Sequence, residues 1–190
     1  MLRRLLIAAA IASASAAQAQ TRDPLRDLLK SDRDSLCYRG DYDAAHLKRN
    51  PGQATRNVLL SFRKDATRVM LRQKGRDHYI VAACDYAERA GRDASGNRLI
   101  KAFKGPGGYE CIVVISPESA EEGGYVLLDP AGGDGGALTL HAGSPVKART
   151  RLDMNARVTS LKLGNEDREF RLARTDAAAC RAMDRVLKGP

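Results

Sequence analysis

The chain has 190 residues, with 32 Lys and Arg against 23 Asp and Glu, a formal charge of +9, no Trp and three Phe. The length suits one domain with an adequate hydrophobic core, and beyond residue 19 no apolar run approaches the roughly eighteen residues of a membrane span. The positive charge is dispersed rather than gathered in a tail, so it fits either a solvated surface or contact with anionic partners.

The first nineteen residues read as a secretory signal peptide. Arg3 and Arg4 precede the apolar run Leu5–Ala12, and small residues lead to Ala17-Gln18-Ala19, an A-x-A cleavage pattern. Residues 20–190 then form the mature domain, expected in the periplasm or outside the cell, with about seven net positive charges once Arg3 and Arg4 leave. An oxidising compartment makes two disulfides the expected use of Cys37, Cys84, Cys111 and Cys180. No C-x-x-C spacing points to redox chemistry or a zinc ribbon. Cys84 and Cys111 both sit on strand candidates, which favours Cys84–Cys111 with Cys37–Cys180 tying the ends. In the chain-entropy description the shorter loop is worth ~3.5 kcal/mol and the longer ~5 kcal/mol at most.

In chain order, Asp23-Pro24 followed by Leu25, Leu28 and Leu29 predicts a short capped helix. Asp43 to Lys48 predicts a helical turn stopped by Asn50-Pro51-Gly52. Val58, Leu60 and Phe62 alternate with Leu59, Ser61 and Arg63, and Val69 and Leu71 alternate with Arg68, Met70 and Arg72, a hairpin pattern. His78–Cys84 reads as a buried strand, and residues 85–107 as a long loop with a short strand at Leu99–Phe103. Tyr109–Ser116, Tyr125–Leu128 and the Leu138/Leu140 pair are further strands. Arg157–Leu163 and Glu169–Ala173 read as a last hairpin across Gly164–Asp167. Asp176 caps a terminal helix of about twelve residues with Cys180, Met183 and Leu187 on one face. Eight or nine short strands plus a closing helix predict a mostly β fold, an antiparallel β-sandwich or small barrel.

Enzyme signatures are sparse. No G-x-S-x-G, H-E-x-x-H or phosphate-loop pattern occurs, and no cofactor or metal is implied. Asp43 and His46 share one helical face and are the best acid/base or metal candidates for an envelope hydrolase; a capping Asp beside a surface His is the simpler account. Ser144 beside His141 lacks the geometry of a nucleophile and its base. The preferred reading is a non-catalytic binder of an anionic envelope component or acidic protein. Arg68 and Arg72 are expected on one outward strand face, with Lys162 and Arg171 outward on the last hairpin. A disulfide-bonded inhibitor of periplasmic enzymes is a further alternative. Nucleic acid is disfavoured by the export signal and by the lack of aromatics interleaved with the cations. The pattern specifies no oligomeric state.

Overall fold

The computed structural model describes residues 23–31, 34–88, 107–116, 123–130 and 135–187. The leader, the strand expected at Leu99–Phe103, and Gly132–Asp134 lie outside the described residues. The described strands are β1 (Leu36–Asp41), β2 (Thr55–Phe62), β3 (Thr67–Gln73), β4 (Arg76–Glu88), β5 (Gly107–Val113), β6 (Tyr125–Asp129), β7 (Ala137–Ala142), β8 (Val146–Arg149), β9 (Val158–Leu161) and β10 (Glu169–Thr175). Two short helices are α1 (Ala44–Arg49) and α2 (Arg181–Val186).

The architecture is a closed antiparallel barrel of eight strands. Consecutive strands from β1 through to β7 pair in turn, β10 lies between β7 and β1, and the β3–β4 pairing completes the ring. Of the two expected architectures the chain adopts the barrel rather than the sandwich. β4 runs thirteen residues because it serves two neighbours. Its first half pairs with β3 as far as Ala82, and its second half pairs with β5 from Ala82 onward. The β8–β9 hairpin takes the edge that β5 leaves open, with Arg149 opposite Tyr79. The expected hairpin of residues 157–173 does not form: β9 pairs with β8, while β10 pairs with β7 and β1. Each segment has the right pattern for a strand, but pattern carries no partner.

Period-two alternation fills the interior. Tyr38, Val58, Leu60, Phe62, Val69, Leu71, Ile80, Tyr109, Leu128, Leu140 and Phe170 form one buried cluster. An eight-stranded barrel is just wide enough for side chains to fill. Phe62 and Tyr86 both meet the Tyr109 ring edge-on, with centroids 4.9 and 5.3 Å away, so aromatics contribute more than the low Phe count implies. The N-terminal segment stoppers one mouth. Asp23 accepts a 3.0 Å bond from the Arg26 amide and starts a single 3-10 turn, Arg26–Leu28, in place of the expected helix. Leu25 and Leu29 drop into the core, the Leu25 amide donates to Tyr109 Oη at 2.8 Å, and that hydroxyl donates to Asp23. At the other mouth the buried Asp167 carboxylate accepts the amides of Ala54 and Thr55, each at 2.9 Å.

A second core lies outside the barrel. Cys37, Ala66, Met70, Val81, Cys180, Met183 and Leu187 form it, joined by Leu59 and Tyr79. Asp176 accepts from the Ala178 amide at 2.7 Å and caps the turn Ala177–Cys180 that leads into α2. The expected face of Cys180, Met183 and Leu187 packs there. Both expected disulfides form, Cys37–Cys180 with Cα atoms 5.8 Å apart and Cys84–Cys111 at 4.0 Å, the latter directly opposite in the β4–β5 register. The pairings fit a non-reducing compartment. No described helix is long and apolar enough to cross a membrane.

Candidate functional site

The four cations expected to share an outer face do not assemble. Arg68 points out of the barrel, as the alternation requires, but α2 and its second core cover it and leave it 1% exposed. Its Nε donates to Leu187 O, its Nη1 to Ala66 O at 3.2 Å, and its Nη2 to Asp65 Oδ2 at 2.8 Å. Arg68 thus clamps the segment ending at Leu187 and presents almost no surface to a partner. Arg72 is exposed and held in a two-point pair with Asp77, Nε–Oδ1 at 2.6 Å and Nη2–Oδ2 at 3.0 Å. Arg171 lies on β10, separated from β3 by β1 and β2. Lys162 follows β9, which is no neighbour of β10.

Asp43 and His46 take structural roles. Asp43 caps α1 by accepting the His46 amide at 2.7 Å. The His46 ring meets Gln53 Oε1 through Nε2 at 2.9 Å and lies 4.9 Å from the Tyr42 ring. Ser144 Oγ exchanges hydrogen bonds with the backbone of Leu163, and His141 sits 3.9 Å from Glu169. Among the described residues no three His, Cys, Asp or Glu side chains gather as metal ligands.

Cations do converge elsewhere. A cleft of about 560 Å³ opens beside the stoppered mouth, between the approach to β1, the ends of β2 and β10, and α2. Among the described residues Lys30, Arg63, Arg174, Arg181 and Arg185 line it, with the acids Asp34 and Asp184. Both acids are engaged. Asp34 accepts the Ser31 amide at 2.8 Å. Asp184 accepts Ser61 Oγ at 2.6 Å and lies 3.9 Å from Arg68 Nη1. Arg63 is paired with Asp65 at 3.0 Å. Among the described residues Lys30, Arg174, Arg181 and Arg185 have no ion-pair partner. The phase of α2 explains the arrangement: Cys180 is bonded to Cys37 and Met183 is buried, so Arg181 and Arg185, one turn apart, stay exposed.

No family model, no curated protein and no solved structure matches this chain. Guanidinium groups present planar donor forks that suit carboxylate and phosphate oxygens. Four of the five cations in the cleft are Arg. The sequence held a partial signal for it, since Arg181 and Arg185 stand four apart, off the Cys180/Met183/Leu187 face. Arg63, Arg174 and Lys30 join them only through barrel closure, which no local pattern encodes.

Proposed function

We propose that this protein is an exported, non-catalytic binding domain that holds an anionic partner, an acidic protein or an anionic envelope component, in the cleft between α2 and the barrel rim. The observation that carries this reading is that, among the described residues, Lys30, Arg174, Arg181 and Arg185 line a concavity without ion-pair partners while its acids Asp34 and Asp184 are already engaged. The leader-like residues 1–19 and the two disulfides support an encounter in the periplasm or outside the cell.

Binding of this kind is driven by charge at a partly exposed site, so it weakens as salt rises past physiological strength, where the screening length is about 8 Å. The test is titration against immobilised acidic polypeptide and acidic glycan at two salt concentrations, with wild type and an Arg181→Glu/Arg185→Glu variant. Both side chains are exposed, so the variant keeps its fold. The expected result is salt-sensitive binding by wild type and a loss of about tenfold or more in the variant. Equal binding by both proteins, or none by either, would leave the cleft as a solubility feature.

A further inference from the structure

The opposite mouth of the barrel carries a second basic concavity. β3 turns into β4 through Lys74 and Gly75, both in the left-handed region with φ of 48° and 75°, as a two-residue hairpin turn requires. The turn sets Lys74 and Arg76 at the edge of a cleft of about 500 Å³, and Lys162 lines the same cleft from the segment after β9. Among the described residues none of these three cations has an ion-pair partner. The acid in the lining is Asp167, whose two oxygens are taken by the amides of Ala54 and Thr55. Asp77, next to Arg76, is bound by Arg72.

His78 completes the lining. It stands opposite Leu71, on the face of β4 that carries Ile80 and Ala82 into the core. Its Nδ1 is buried and meets no hydrogen-bond partner among the described residues. A buried polar atom left without a partner is costly, and a bound ion is one of the few ways a native protein satisfies it.

We propose that this mouth binds a tetrahedral oxyanion, sulfate or phosphate, free or as the end group of a small ester, with Lys74, Arg76 and Lys162 supplying charge and His78 a proton. Burial holds the His78 imidazole below the usual histidine range; Arg76 adds to that effect and Asp77 opposes it. Lys74, Lys162 and Asp167 are the other charged groups lining the same cleft. A bound dianion favours the protonated ring, so binding takes up a proton and tightens as pH falls.

Sulfate is the decisive probe because it keeps its double charge over the relevant range. Calorimetric titration of the full chain with sodium sulfate, at fixed ionic strength and at about pH 8 and about pH 5.5, brackets the ordinary histidine value. Saturable binding about tenfold tighter at the lower pH is expected, because the anion and the ring proton reinforce each other by about that factor. Lys74→Ala/Lys162→Ala should weaken it about tenfold, His78→Gln should bind with no pH response, and Arg151→Ala, an exposed cation outside both clefts, should match wild type. A parallel titration at about pH 8 with a sugar phosphate, which is doubly charged there like sulfate, separates the two sources: tighter binding than sulfate assigns an end group, equal or weaker binding the free ion. In wild-type protein the imidazole resonance of His78 should titrate at higher pH with sulfate present, a readout that does not depend on any variant folding. An unmoved His78 resonance, absence of saturable binding, a pH response that survives in His78→Gln, or equal loss in Arg151→Ala would each overturn the proposal.

Discussion

Arg68 and Arg72 lie on the same strand, β3, and have opposite fates. Arg68 is buried under the chain's C-terminal segment and holds Leu187 O, Ala66 O and Asp65. Removing it strands a buried carbonyl pair and leaves Asp184 with less compensation, a loss of about 3 kcal/mol. Arg72 pairs with Asp77 in solvent, so its removal costs under about 1 kcal/mol. Urea unfolding of Arg68→Ala and Arg72→Ala checks this, and equal midpoints would refute the clamp. Asp65 gives the pH counterpart. Burial opposes its ionisation, but hydrogen bonds from Arg68 and Arg63 outweigh burial and hold its carboxyl below the usual range. A depressed folded-state value means stability that is present at neutral pH and lost as pH falls below about 4, through the folded value. Acid unfolding followed by circular dichroism should therefore show a shallower acid-side fall in Asp65→Asn than in wild type. The sequence told which way Arg68 points, because strand alternation is strictly local. It did not tell what lies over it, because the second core is assembled from β1, β3, β4 and a helix more than a hundred residues away.

Elements whose partners are adjacent in sequence were legible, and those with distant partners were not. The β2–β3 hairpin follows from two alternating runs and a Lys64-Asp65 turn. β10 reads as a strand too, yet its partners are β7 and β1. β8 gives little local signal, because Val146-Lys147-Ala148-Arg149 is short and poor in β-forming residues. The C-terminal element is the instructive case. Its capping Asp176 and apolar face were readable, but α2 spans only six residues, too short to persist alone. Its place depends on Cys180 and on burial of Met183 and Leu187. Cys37→Ser/Cys180→Ser should cost ~3–5 kcal/mol and expose the chain beyond β10 to limited proteolysis while the barrel resists. Mass spectrometry of the first cleavage products checks this; a first cut within β1–β7 would contradict it.

At the scale of the whole molecule, the stoppered mouth is held by few polar contacts. Tyr109 Oη links the Leu25 amide and Asp23 across more than eighty residues, and burial, followed by the Asp23 bond, pushes its phenol well above the usual range. Tyr109→Phe should cost about 1–2 kcal/mol and speed hydrogen exchange at Leu25 and Arg26 without altering exchange in β2 and β3. Uniform acceleration across the barrel would argue against a local latch. The candidate cleft next to that mouth was only half legible, for the same reason as β10: Arg174 reaches it by ring closure and Arg181 by a disulfide.

The connectivity of that disulfide has a consequence for biogenesis. The bonds are nested, first cysteine to last and second to third. On the export route proposed above, a chain threaded N-terminus first presents Cys37 and Cys84 long before Cys180. An oxidase acting on thiols in order of arrival joins the wrong pair, and only thiolate attack on that bond can free Cys37 for its native partner. The yield of native protein should accordingly follow the supply of disulfide isomerase more closely than the supply of oxidant.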